Sequence, residues 1–206
     1  MPSLAQIQSA LADVPVDTEP PGASIAAVAL AFAGPPDALD LCFILRASRA
    51  GDRWSGQMAF PGGKADPEDA TPQAVAIREA REEVDLHLDQ ARPLGALPPV
   101  PLRPSGALGI LMPFAFYVGT ERPPLRPNDG EVDAAYWIPI ADLWDESRMG
   151  TIEWEWKGQM HAFPGIRFRE HLIWGLTYKV LISWGKLLGK PLPDGHLGVG
   201  PRPGQR

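Results

Sequence analysis

Three glutamates, Glu79, Glu82 and Glu83, stand at i, i+3 and i+4 in the run Arg78-Glu79-Ala80-Arg81-Glu82-Glu83. On a helix that spacing projects all three carboxylates from one face. Like charges so placed repel by roughly 0.2–0.5 kcal/mol per pair, so the cluster weakens its own helix unless a cation sits among the acids. A hard divalent ion such as Mg²⁺ takes oxygen ligands in octahedral geometry and is commonly shared between protein carboxylates and substrate phosphates. Upstream lies Gly62-Gly63, a pair that permits tight turns and close approach of main chain to a ligand. Arg78 and Arg81 could instead pair with these acids on a solvated helix face. The glycine pair, the acids and their spacing together favour a site over that plain surface.

In this combination the chain resembles the Nudix box, G-x5-E-x7-R-E-U-x-E-E-x-G-U with U apolar. Gly63 opens it, and Arg78, Glu79, Ala80, Glu82, Glu83 and Leu86 fill its second half in register. Asp69 stands where the first Glu is expected, one extra residue lies between Asp69 and Arg78, and Asp85 replaces the closing Gly. Asp tolerates the positive φ that a helix C-terminus often wants, so the last exchange is physically reasonable. The resemblance runs from about Ser24 to Leu188. It implies an α/β fold: an α/β/α sandwich with a mixed β-sheet between helices and the box as loop–helix–loop.

A finer resemblance lies just upstream, in Arg46-Ala47-Ser48-Arg49 and Gly56-Gln57-Met58-Ala59-Phe60-Pro61-Gly62-Gly63. An Arg-x-Ser followed by Gly-Gln-x-Ala-Phe-Pro-Gly-Gly is similar to the signature of the coenzyme A pyrophosphatase branch, which shares the longer box. Leu97-Pro98-Pro99-Val100 and Ile173-Trp174-Gly175-Leu176-Thr177 are further matches. The spacing from Arg46 to Phe60 is one residue longer than that signature, and the basic and histidine positions before Gly-Gln differ. Arg46, Arg49 and Arg53 fall close together after a long stretch without Lys or Arg. Guanidinium groups bind phosphate bidentately, so this cluster suits a 3′-phosphate or a pyrophosphate. Gly62 and Lys64 join them as substrate-binding candidates.

What the resemblance implies for chemistry is hydrolysis of a pyrophosphate bond assisted by Mg²⁺ or Mn²⁺. Such ions bridge phosphate oxygens, neutralise charge and lower the pKa of a bound water. Glu79, Glu82 and Glu83 form the expected metal cluster, with the Gly63 carbonyl as a further ligand by resemblance. Arg78 would orient Glu79 through a charge-assisted hydrogen bond. Either Glu79 or Glu131, in Asn128-Asp129-Gly130-Glu131-Val132, could be the general base. The expected substrate is a small nucleotide: coenzyme A or its thioesters, or alternatively ADP-ribose, dinucleoside polyphosphates or nucleotide sugars. A noncatalytic nucleotide-binding module is the rival from another class.

Composition fits a compact cytoplasmic enzyme. The chain has 206 residues, 45% of them hydrophobic, which is enough for one buried core. Its one cysteine, Cys42, excludes an intramolecular disulfide framework and reads as a buried strand thiol. A net charge of −6 argues against broad nucleic-acid binding. No Lys or Arg precedes Arg46, so no basic leader is expected. The longest apolar stretch, Ala23 to Gly34, is about twelve residues, too short to span a bilayer. His87, His161, His171 and His196 show neither H-E-x-x-H nor Cys-His zinc spacing, Ser55 lacks a G-x-S-x-G elbow, and Gly-Gly-Lys is no P-loop.

The elements that must position the site follow from capping and periodicity. Ser3 caps a short amphipathic helix through about Leu11, carrying Leu4, Ile7 and Leu11 on one side. Residues 1–22 thus read as a helix and a Pro-rich linker, 23–188 as the main domain, and 189–206 as a loose Pro- and Gly-rich tail. Ser24–Ala33 and Leu41–Ala47 read as adjacent strands, and Gln57–Phe60 as a short strand running into the glycines. Thr71 and Pro72 start a helix with a capping hydroxyl and a first-turn proline. On it Ala74, Ile77, Ala80 (or Arg81) and Val84 are expected to face the core, with the carboxylates outward. Leu111–Val118 and Ala134–Ile138 read as strands, and Arg169–Leu188 as a C-terminal helix. Trp154 and Trp156, with Gly158 and Phe163, suggest a hairpin whose rings could stack an adenine, cover a homodimer contact or serve the fold.

Overall fold

The computed structural model describes residues 1–16, 22, 24–48, 55–102, 109–156 and 158–194. Its elements in chain order are α1 (Leu4–Leu11), β1 (Ile25–Ala33), β2 (Asp40–Arg46), β3 (Met58–Ala59), β4 (Gly62–Lys64), α2 (Pro72–Val84), β5 (Arg92–Ala96), β6 (Val100–Leu102), β7 (Gly109–Gly119), β8 (Val132–Pro139), β9 (Met149–Trp156), β10 (Gln159–Phe168), β11 (His171–Ile173) and α3 (Gly175–Leu187). The main sheet runs β3-β2-β1-β7-β5, with β4 also on β1, β6 on β7 and β8 on β2. β1 and β7 are parallel and the other pairs antiparallel, so the sheet is mixed, as expected. A smaller antiparallel sheet, β11-β10-β9, contains the anticipated tryptophan hairpin.

Alternation along β1 decides the layering. Ala27, Ala29 and Ala31 pack in one core with Val75, Ala76, Ala80 and Val84 of α2. Leu30 and Phe32 enter the opposite core, with Leu4, Ile7 and Leu11 of α1 and Tyr178, Leu181 and Trp184 of α3. Each large apolar side chain buried there contributes about 1.5–3 kcal/mol. The α2 side is built from small residues on both surfaces. That lets the helix lie close to the sheet and carries its acidic edge down to β4. Cys42 is buried in the α2-side core as a free thiol, and burial followed by the nearby Glu83 charge pushes its pKa up.

Three expectations need correction. The buried residues of α2 are Pro72, Val75, Ala76, Ala80, Glu83 and Val84, so the helix is rotated from the expected face and Glu83 points inward. The stripe through Ala76, Ala80 and Val84 matches the alanine surface of β1, and Glu83 borders it. The C-terminal helix starts at Gly175, because residues 171–173 pair with β10 and Arg169 turns the chain at φ 53°. The segment after Gly189 continues against α3: Leu192 is buried and Tyr178 Oη donates to the Pro193 carbonyl at 3.0 Å. Residues 195–206 of the expected tail lie outside the described residues.

Candidate active site

The box is framed by two caps. Thr71 Oγ1 accepts the Ala74 N–H at 3.1 Å and Pro72 occupies the first turn, so α2 begins where expected. Asp85 ends it in the left-handed region, φ 56° and ψ 35°, with its N–H on the Ala80 and Arg81 carbonyls. This is the conformation in which the expected Gly would sit, and Asp is among the few side chains that adopt it at modest cost.

Ahead of α2, Gly62 and Gly63 lie in β4 opposite Val28 and Ala27. A Cβ on Gly62 would stand 2.7 Å from the Val28 Cα, and one on Gly63 would run into the Glu79 carboxylate, 2.8 Å from Oε2. Only glycines let the loop press between the sheet and the acids. The Gly62 N–H donates to Glu83 Oε2 at 2.9 Å, so Gly62 serves this carboxylate directly.

Arg78 organises the outer side of the cluster. Its Nε and Nη2 grip Asp69 at 3.2 and 3.1 Å, Nη1 donates to Glu79 at 3.1 Å and to Glu82 at 2.9 Å, and Nη2 also reaches the Lys64 carbonyl at 3.1 Å. These bonds use all five N–H donors of the guanidinium. The fork on Asp69 is the leading cause of the raised Arg78 pKa. Burial raises the Asp69 carboxyl, but the hydrogen bond from Arg78, the Asp66 N–H and the Arg78 charge together hold it below the usual range. Asp69 is therefore an anchor for Arg78, a role its box position hinted at without assigning. Lys64 contributes its backbone to Arg78 while its side chain is exposed.

Glu83 is the buried member, 4% exposed. Burial pushes its carboxyl up to about 8, the Gly62 N–H and the Arg46 charge oppose the rise, and the charges of Glu79 and Glu131 add to it. Glu79 is raised by burial first, against the pull of Arg78, with Glu82 and Glu131 adding to the rise. Glu82 is half-exposed on the Arg78 side. Glu131 reaches the cluster because its loop is stapled to the end of α2. The Arg126 N–H donates to the Val84 carbonyl at 3.0 Å and the Asn128 N–H to the Glu83 carbonyl at 2.9 Å, while Arg126 Nη1 bonds Asp85 at 3.0 Å. The Ala47 N–H holds the Glu131 carbonyl at 2.9 Å.

The structure thus brings Gly62, Gly63, Arg78, Glu79, Glu82, Glu83, Glu131 and Arg46 into one region. Arg49 and Arg53 lie outside the described residues. The chemistry of the donor set, carboxylate and carbonyl oxygens only, fits a hard divalent cation, and the Glu79 and Glu83 carboxyls are both raised, by burial first, with neighbouring carboxylate charges adding to the rise. Among the described residues no three such side chains already converge as a finished ion cage, since Arg78 spans Glu79 and Glu82.

With this geometry the chain is that of a Nudix protein: residues 23–157 match the NUDIX domain, and it belongs to that family. It is 36% identical over 129 residues to an uncharacterized Nudix hydrolase, NudL, of Photorhabdus laumondii, covering 62% of this chain and 66% of that protein. It is 36% identical over 139 residues to the human mitochondrial coenzyme A diphosphatase NUDT8, covering 66% of this chain and 58% of the relative. The chain therefore spans less than two thirds of the length of either relative. A MutT/nudix family protein of Enterococcus faecalis shares the fold, with a TM-score of 0.53 at 15% identity over 86% of this chain and 65% of that one. No helix among the described residues is long and apolar enough to cross a membrane.

Proposed function

We propose that this protein is a Nudix pyrophosphohydrolase that, with Mg²⁺ or Mn²⁺, cleaves the pyrophosphate bond of coenzyme A into 3′,5′-ADP and 4′-phosphopantetheine, or that of its thioesters into 3′,5′-ADP and the S-acyl form of 4′-phosphopantetheine. One observation carries the chemistry: a buried Glu83 and an Arg78-held Glu79 face Glu131 beside a glycine loop that admits no side chain. The substrate class is supported by the likeness to a coenzyme A diphosphatase and by the Gly-Gln-Met-Ala-Phe-Pro-Gly-Gly string.

In this reading Glu79, Glu82, Glu83 and the Gly63 carbonyl hold the ion. When bound, it supplies charge neutralisation on the pyrophosphate oxygens and acidifies a coordinated water. The residues of the chain do the rest. Arg78 fixes Glu79 through one oxygen and is itself fixed by Asp69, so the carboxylate keeps its orientation without being held by solvent. With one Glu79 oxygen committed in this way, Glu131 is the favoured acceptor for the proton of the attacking water. Arg46, whose charge reaches Glu83, pairs with a substrate phosphate oxygen and orients the anhydride.

The test is product analysis by mass spectrometry after incubation with Mg²⁺ or Mn²⁺ and equal amounts of coenzyme A, ADP-ribose and diadenosine polyphosphates. Preferential release of 4′-phosphopantetheine with 3′,5′-ADP is expected. Preference for another compound sinks the substrate assignment, and binding without any cleavage sinks the enzymatic one.

A further inference from the structure

Asp85 is a poor choice for its place on two local counts. It stands at φ 56°, where glycine is at ease and a side chain costs something. It also sets a negative charge at the C-terminal end of α2, where unpaired carbonyls favour cations. The Gly of the Nudix pattern escapes both costs. Residues that break local rules in this way are compensated by another contact. Here the contact is with Arg126, whose Nη1 donates to Asp85 Oδ2 at 3.0 Å, while Asp85 Oδ1 faces His87 Nε2 at 3.4 Å.

Arg126 belongs to the connection that delivers Glu131. Between β7 and β8 the chain has no helix or strand from 120 to 131, and a stretch that long keeps one shape only where it is anchored. Its first part is tied to the strands: Arg122 pairs with Asp40 of β2, and Trp137 Nε1 donates to the Pro123 carbonyl at 2.9 Å. Its second part rides on the end of α2, through the Arg126 N–H on the Val84 carbonyl and the Asn128 N–H on the Glu83 carbonyl. Pro127, between these two anchors, has no N–H to give. The Asn128 carbonyl in turn accepts from the Glu131 and Val132 N–H groups at 3.2 and 3.1 Å, across a turn in which Gly130 takes φ 86°. The backbone of Glu131 is thus tied to that of Glu83 through Asn128, and to Ala47 through its own carbonyl.

Charge works against this arrangement. Glu131 acts electrostatically on Glu79 and Glu83, adding to the rise of both carboxyls. The same like-charge repulsion presses the loop away from α2. An attraction between Asp85 and Arg126 pulls the other way, two residues before Asn128. We propose that Asp85 and Arg126 are positioning residues: their ion pair clamps the segment 126–131 to the last turn of α2 and so sets the Glu131 carboxylate opposite Glu79 and Glu83. This rests on the reading of Glu131 as acceptor of the attacking water's proton. The chain forgoes the easier glycine cap for a side chain that can hold the loop. Both partners are exposed, so the pair is a modest one. It acts on the fraction of molecules with Glu131 in place rather than on whether the protein folds.

Asp85→Gly restores the residue of the family pattern and separates the two roles. It relieves the cap, so thermal unfolding should begin no earlier than in wild type. Yet kcat should fall about 2- to 5-fold with KM little changed, on whichever nucleotide wild type cleaves. Arg126→Ala should do the same, and the double variant should be no slower than either single one, because both remove one contact. Asp85→Asn tolerates the same φ and keeps an acceptor for Arg126, so it should recover most of the loss. In a Glu131→Gln background Asp85→Gly should cost nothing further. Hydrogen–deuterium exchange of the amides of residues 128–132, measured without metal or substrate, should quicken in Asp85→Gly and in Arg126→Ala. Wild-type kcat in Asp85→Gly, with Glu131→Gln slow, overturns the clamp and keeps the role of Glu131. Quicker loop exchange with wild-type kcat in both Asp85→Gly and Glu131→Gln refutes Glu131 as the proton acceptor, while the clamp on its loop stands.

Discussion

Replacing Glu83 by Gln should abolish turnover and yet make the metal-free protein more stable at neutral pH. Burial, with the Glu79 and Glu131 charges, lifts the Glu83 carboxyl from its ordinary 4.5 to about 8. Because the folded value is the higher one, the folded state binds this proton more tightly than the unfolded chain. Its contribution is complete below about pH 4.5 and is lost as pH rises toward 8. Linkage over that window removes about 3 kcal/mol by pH 7, most of it between pH 5 and pH 7. For a chain of this size that is a Tm change of roughly 5–10 °C. The substituted amide would keep an acceptor for the Gly62 N–H and lose the titration. The assay is thermal unfolding of wild type and Glu83→Gln in excess chelator from pH 5 to pH 8. Every other group titrates in both proteins, so the difference isolates this position. The gap in favour of the variant should widen by roughly 5–10 °C between pH 5 and pH 7, and saturating Mg²⁺ should narrow it. A gap that stays constant across this range would mean that Glu83 does not titrate between pH 5 and pH 7.

Arg78→Lys should be a severe change, because one ammonium cannot replace a fork that serves Asp69, Glu79, Glu82 and the Lys64 carbonyl at once. Activity or metal affinity should fall about 10- to 100-fold, the cost typical of losing an orienting partner; wild-type kinetics would show that Glu79 orients itself. Gly63→Ala places a methyl group against the Glu79 carboxylate and should remove activity while the circular dichroism spectrum is retained. An active Gly63→Ala protein would mean that the loop and the acid are not jointly required.

Much of the site was legible because its parts are local in sequence. Thr71-Pro72 announces a helix start through a hydroxyl and a missing N–H, and Asp85 was readable as a tolerated left-handed cap. What periodicity could not fix was the rotation of α2. Alanines at 74, 76 and 80 fit either face, and the decision came from the complementary alanines of β1. The strands Arg92–Ala96 and Val100–Leu102 contain Pro93 and Pro101, which argue against strand in a single sequence and are accommodated here at the far side of β7. Gly62–Lys64 has no strand propensity and is recruited by pairing with β1. Asp69 was visible only as a box departure, since its partnership with Arg78 exists once the loop folds back. The grouping of Trp174 with Trp154 likewise required the turn at Arg169, which no local pattern announced.

The proposed hydrolysis requires that Glu79, Glu82 and Glu83 hold a divalent ion. Titration of the chelator-treated protein with Mn²⁺, followed by electron paramagnetic resonance, reads this directly and without any substrate. Wild type should bind Mn²⁺ with loss of the free-ion signal, Mg²⁺ should compete, and Glu79→Gln and Glu83→Gln should each bind much more weakly while remaining folded. Equal Mn²⁺ binding by wild type and both variants would contradict the account.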